Sequence, residues 1–289
     1  MTTAQISNTA KKEEVEVIVR RSAVVAYGMI GVAVGAVVGF VALEIIGLVI
    51  GAIVAGGAGA ALGSVAVRRV VDSTLATVMS RVDSQEITET QAARLFNLLE
   101  GLCAVTGVQI PNVSVTADAG INAFVAADPT RTEGPELVVT SGFVSQLERI
   151  EMEGVVAVCL ARLRSGIAEA QTLVTALSIA KPWYLTTTAL RRLIAEVSNG
   201  QIVFDDDIKG AGITRYPPGL AAAYQRMLES STRVGGFDAR LAGLWVVNPS
   251  GEANVAGNSA APASEGSKVE SPTDDRPPLS ERLALLREI

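Results

Sequence analysis

The chain has 289 residues, 49% of them hydrophobic and 4% aromatic, with a net charge of −6, a pI near 4.9 and a mean hydropathy of +0.37. An acidic chain with few aromatic rings and no long basic block lacks both the electrostatic footprint and the stacking platform that nucleic acid requires, which excludes that partner. Histidine is absent altogether, and with it the commonest zinc ligand and the usual general base near neutral pH, so Ser-His-Asp, Cys-His and HExxH chemistry are excluded together.

Residues 1–21 read as a polar N-terminal segment ending in Arg20 and Arg21. From Ser22 to Val67 the only charge is Glu44. As one straight helix this run would be roughly 69 Å long, more than twice a hydrocarbon core of about 30 Å. The expectation is therefore a transmembrane hairpin over 22–67, with spans Ala23–Leu43 and Ile45–Ala66 turning at Glu44, a solvated loop acid. The apolar region is too long for a signal peptide and is expected to remain in the mature protein. Arginines flank the pair at 20/21 and 68/69 while the turn has none, so the positive-inside rule places the following domain in the cytosol. Gly31, Gly35 and Gly39 recur every four residues, as do Gly47/Gly51 and Gly59/Gly63. Such spacing packs the hairpin on itself or, as the alternative, joins copies of the chain into a homo-oligomer through Gly31, Gly35 and Gly39.

A folded domain is expected over 70–247. An amphipathic helix over 70–83 and a second one in TETQAARLFNLLEGLCAVTG lead into a stretch rich in β-branched residues. That stretch predicts a short antiparallel sheet with strands near 112–117, 121–127 and 136–140. Helices follow at Gly142–Arg149, Met152–Arg164, 167–181, Leu185–Ser198 and 217–232, the last opened by proline. The 167–181 segment carries Glu169, Gln171 and Lys181 and is too short an apolar run to span a bilayer, so it reads as a soluble helix. Trp183 and Tyr184 read as a packed corner rather than an interfacial anchor. From 248 to 278 the composition collapses to Ser, Ala, Gly, Pro, Glu and Asp, a disordered linker. A final helix, 279–289, must dock its leucines on the domain or on a partner.

Several phrases occur in a telling order: LFNLLEGLCAVTGVQIP, INAF, LVVTSGFVSQL, EMEGVVAV, TRYPPGLAAAYQRM and RPPLSERLALL. Together with the two-span hairpin they resemble the HtpX-type membrane zinc metallopeptidases over residues 20–247 and 275–289. The resemblance implies an α+β, mainly α fold: an N-terminal two-helix transmembrane hairpin and a cytosolic, gluzincin-type helical domain with a small antiparallel sheet. It also implies a multi-pass protein of the bacterial inner membrane, a zinc cofactor and an endopeptidase of protein quality control.

The family's chemistry is missing from the matching positions. Aligned on EMEGVVA, HExxH falls so that Val158 and Arg162 stand at the two histidine ligands and Cys159 at the catalytic glutamate. The glutamate ligand of the later helix aligns with Val203, while its supporting aspartate survives as Asp207. The family's terminal His-Pro is Arg276-Pro277 here. No catalytic residue and no metal ligand is therefore assigned, and no cofactor is expected.

Arg162 must find a carboxylate or reach solvent, and Asp207 is the first candidate. Cys103 and Cys159 read as buried, inert thiols. The run Asp205, Asp206 and Asp207 reads as a solvated helix start rather than a cation site, because consecutive helical residues point in different directions. The resemblance further implies a strand-accepting edge at Asn122, Ala123, Phe124, Val138, Val139 and Thr140, where an extended polypeptide could pair with the main chain without zinc. The expected role is a membrane-anchored pseudopeptidase that binds membrane or unfolded protein segments, or modulates an active paralogue. The alternatives are an active peptidase with substituted chemistry and a structural membrane-assembly subunit.

Overall fold

In the computed structural model the described residues are 17–34, 56–65, 68–69, 71–130, 132–180, 187–197, 199–251 and 276–289. Helix α1, Val17–Val34, is long and apolar enough to cross a membrane, with a mean hydropathy of 1.6 over 18 residues. Helix α2, 56–65, runs antiparallel beside it, and the approach is close enough to demand glycine. A Cβ on Gly59 would overlap the Tyr27 carbonyl oxygen and lie 3.3 Å from the Gly31 Cα, and one on Gly63 would lie 2.9 Å from the Ala23 carbonyl oxygen. Gly31 thus faces Gly59 of the same chain. Gly35, Gly39, Glu44, Gly47, Gly51, Trp183 and Tyr184 lie outside the described residues, as does most of the expected 248–278 linker.

After α3 (Thr74–Met79) the chain forms β1 (Ser84–Glu86), α4 (Ala93–Thr106), β2 (Asn112–Thr116), β3 (Ala123–Ala126) and β4 (Glu136–Thr140). The three strands from the β-branched stretch fall where the sequence places them, but the sheet is four-stranded and mixed rather than antiparallel. Its order is β1-β2-β4-β3, with β2 parallel to β4 and the other two pairs antiparallel. The order follows from the loop after β2, which crosses the end of β4 before laying β3 at the far side. Gly142 just beyond β4 donates its N–H to the Asp118 carbonyl at 2.9 Å, and a Cβ there would overlap the Ala119 carbonyl. β4 is thereby slotted between β2 and β3.

The rest is helical: α5 (Ser141–Gln146), α6 (Arg149–Ser165), α7 (Ile167–Ala180), α8 (Thr187–Val197), α9 (Gly200–Thr214), α10 (Pro217–Glu229) and α11 (Leu279–Glu288). A reciprocal capping box between Glu148 and Glu151 starts α6, satisfying two otherwise orphaned donors, and Gly166 in the left-handed region ends it. Its middle is buried on every side, which is why its apolar residues show no one-sided stripe. α4, the sheet, α9, α10 and α11 surround it in one apolar core. Three of the four leucines of α11, Leu279, Leu283 and Leu286, dock within that core. α7 is also buried, packing with α8 and with Val19 and Ala23 at the foot of α1.

Two glycines set how closely α6 meets its neighbours. A Cβ on Gly154 would lie 2.7 Å from the Leu220 Cα of α10, and one on Gly210 of α9 would lie 2.7 Å from Val158 Cγ2 and 2.9 Å from its backbone. Gly210→Ala is therefore expected to destabilise the domain by about 1–3 kcal/mol through overpacking. Gly212→Ala, exposed on the same helix with nothing within 4 Å, should be stabilising by up to about 1 kcal/mol. Urea unfolding of both variants checks the contrast.

Candidate functional site

The positions at which the resemblance expects zinc chemistry come together on α6 and α9. Val158, Cys159 and Arg162 lie on α6 and Val203, Asp206 and Asp207 on α9, all at 2% exposure or less. Val158 rests against Gly210. The Arg162 side chain crosses to α9, where its Nε donates to Asp206 Oδ2 at 3.1 Å, and its Nη1 donates to the Leu244 carbonyl at 2.8 Å. Its partner is therefore Asp206 and not Asp207.

Asp207 belongs to a second network one residue further round the helix. Arg282 of α11 donates from Nε to Oδ2 and from Nη2 to Oδ1, both at 2.7 Å, in a bidentate pair. The Tyr224 hydroxyl of α10 donates to Asp207 Oδ1 at 2.5 Å and accepts from Arg282 Nη2. The guanidinium also lies 4.7 Å from the centre of the Tyr224 ring, within reach of a cation–π attraction. Burial opposes the Arg282 charge, but Asp207 and Tyr224 beside it hold the guanidinium above its ordinary pKa. Burial pushes the Tyr224 hydroxyl well above its ordinary value.

The acidic run is thus not a solvated helix start. Asp205 is partly exposed and bonded to Gln201, while Asp206 and Asp207 are fully buried in the middle of α9. A turn of about 100° per residue sends the two carboxylates to different helices. Sequence reasoning also missed the importance of Tyr224 on α10 and of Arg282, which sits between the buried Leu279 and Leu283 of α11.

These residues do not fit zinc. Two valines and a guanidinium offer no lone pair to the metal, and Arg162 brings a positive charge already neutralised by Asp206. No cluster of three or more Cys, Asp or Glu suited to holding a metal ion occurs among the described residues. Cys159 is buried, and that burial pushes its thiol up to about 12 despite nearby Arg162, far from the thiolate that a nucleophile needs.

The strand edge expected to receive a polypeptide is taken by the chain itself. Asn122, Ala123, Phe124, Val138, Val139 and Thr140 are all at 1% exposure or less. Phe124 forms an antiparallel bridge with Trp245, their rings 4.7 Å apart edge to face, and Val246 N–H donates to the Ala123 carbonyl at 2.8 Å. At the other end of β3 the Ala127 N–H donates to Thr172 Oγ1 of α7 at 3.1 Å. Guanidinium groups hold the covering segment in place. Arg162 donates to the carbonyl of Leu244, Arg276 to that of Trp245 at 2.9 Å and Arg282 to that of Val246 at 2.7 Å. Asn122 Nδ2 donates to the Val247 carbonyl at 2.8 Å. The expectation of an open accepting edge is corrected accordingly: an incoming strand would have to displace residues 244–247.

No family model matches the chain, and no solved structure matches it. Among curated proteins it is similar to the Protease HtpX homolog of Dictyoglomus thermophilum, 26% identical over 196 residues, covering 57% of this chain and 64% of that protein. It is also similar to the Protease HtpX homolog of Listeria innocua, 34% identical over 107 residues, covering 37% of this chain and 34% of the relative. With the one from Streptococcus uberis it is 23% identical over 225 residues, covering 65% and 75%. The match thus spans under two thirds of the Dictyoglomus protein and about a third of the Listeria protein.

Two outcomes are expected of this site. Burial raises the Asp206 carboxyl to about 6, against the pull of Arg162 and Lys209. A carboxyl raised on folding stabilises most when protonated, so its contribution is full below the ordinary value and falls as pH rises through about 6. Stability measured by urea unfolding should therefore decline between about pH 4 and 7 in the native chain, and Asp206→Asn, which mimics the protonated state, should flatten that decline. Arg162→Met should cost about 3–5 kcal/mol by leaving a buried carboxylate uncompensated, with the R162M/D206L double variant recovering most of the loss. Separately, neither Cys103 nor Cys159 should react with a thiol reagent in the native protein, and both should react in denaturant.

Proposed function

We propose that this chain, which is HtpX-like, is a membrane-anchored protein of that family that works by association with other proteins at the bilayer and not by zinc-dependent hydrolysis. The observation that carries the reading is the donor set. At the three positions aligned with metal ligands stand Val158, Arg162 and Val203, and Arg162 is neutralised by Asp206 across the same two helices. The absence of histidine supports it independently, because no imidazole can substitute from elsewhere in the sequence.

Anchoring is supported by the apolar α1, whose Val25, Met29, Ile30 and Val34 project outward at about half exposure or more. The arginines at its foot favour a cytosolic domain. Partners in this reading are membrane polypeptides or an active paralogue, met through surfaces other than the covered β3 edge.

Elemental analysis of the detergent-purified chain, run beside a casein cleavage assay with and without chelator, tests the proposal. The expected result is no stoichiometric zinc and no chelator-sensitive cleavage. Stoichiometric zinc with cleavage abolished by chelator would overturn it.

A further inference from the structure

Three arginine pairs far apart in sequence lie on or just beyond elements gathered at the foot of α1. Arg20 and Arg21 occupy its first turns and are exposed, while Val19 and Ala23 between and beyond them are buried against α7 and α8. From Val25 onward the helix turns apolar side chains outward. Its inner face still packs on the domain at Ala26 and Tyr27, so the outward apolar face begins beside the domain. Because α2 runs antiparallel with Gly63 beside Ala23, Arg68 and Arg69 just beyond its end return to the level of Arg20 and Arg21.

The third pair comes from α8. This helix is strongly two-faced: Leu193 and Val197, with Leu190 and Ile194, pack into the cluster that holds Val19, Ala23 and Ala26. Arg191 and Arg192 are exposed on the other face. The docking of α8 therefore brings a helix bearing two exposed arginines against the foot of α1. Across the described parts of these segments stand six exposed arginines and two exposed carboxylates, Asp72 and Glu196.

We propose that Arg191 and Arg192 join Arg20, Arg21, Arg68 and Arg69 in a basic collar that binds the headgroups of anionic phospholipids around the foot of α1. The inference rests on the membrane-anchored reading above. Guanidinium groups suit the task because their planar donor fork matches phosphate oxygens, and basic side chains near an anionic leaflet gain attraction that decays within a Debye length. The collar fixes the height and tilt of the domain at the bilayer surface.

The test uses the full chain in vesicles of mixed phosphatidylcholine and phosphatidylglycerol, with the lipids retained after mild detergent extraction quantified by mass spectrometry. Phosphatidylglycerol should be enriched around the wild-type chain relative to the bulk vesicle. Arg191→Gln with Arg192→Gln should cut that enrichment about 5-fold or more, whereas the double lysine variant should keep most of it. An unchanged gel-filtration profile and unfolding midpoint would establish that the glutamine variant is folded. Equal retention of both lipids by the wild type, or undiminished enrichment in the glutamine variant, would overturn the collar. Displacement of phosphatidylglycerol by low concentrations of inorganic phosphate would mark a free-anion site and also overturn it. Release of the chain from membranes by alkaline carbonate would instead overturn the anchored reading itself, and the collar with it.

Discussion

Four formal charges buried among helices govern this domain. Arg162, Asp206, Asp207 and Arg282 each lie at 2% exposure or less. A charge removed from water without a partner costs several kcal/mol, so the helices can settle only where both pairs close. Because Asp206 and Asp207 are adjacent on α9, one must face α6 and the other the α10/α11 side. That requirement fixes the rotation of α9 about its axis, and the close approach at Gly210 fixes its distance from α6.

The same arginines settle the fate of the sheet edge. Residues 244–247 meet β3 through a single bridge rather than a full ladder, and their buried carbonyls must still be paired. Arg162, Arg276 and Arg282 supply donors to three consecutive carbonyls, those of Leu244, Trp245 and Val246. Two of these three arginines also neutralise the acids of α9. The charge pairs and the covering segment are thus one cooperative unit, in which α11 contributes a donor to each part. Moving residues 244–247 away from β3 would strip hydrogen bonds from both guanidinium groups of the core.

Local patterns made most of the helices and three of the four strands legible, while α9 was expected only through the resemblance. The β-branched stretch, the Pro-Pro opening of α10 and the leucines of α11 each carry their own signal. The sheet order was not legible, because the crossing loop that slots β4 between β2 and β3 depends on a backbone approach at Gly142 that no periodicity encodes. β1 is only three residues long and too short to show alternation. At the site, phrases aligned with the family picked out positions 158, 162 and 203. The pairing of Arg162 could not be read, since Asp206 and Asp207 differ by a single step of helix and Asp207 is claimed by an arginine 75 positions away in sequence. Local composition likewise made the acidic run look solvated, when its two inner members are matched by cations from other helices.

A metal ion bound by α6 and α9 would tie those helices through coordination bonds. In this chain Arg162 and Asp206 tie the same two helices through an ion pair, and Val158 against Gly210 closes the apolar side. Such a pair adds little net stability over well-packed apolar residues of the same volume. Its effect is on geometry: a donor fork and a carboxylate meet in few orientations, so the pair holds the two helices in one register. The domain has this defined shape and is seated against the foot of α1, where α7 and α8 pack on Val19 and Ala23. Association at a membrane surface needs both of these and no reactive centre, which is why the proposed activity is binding.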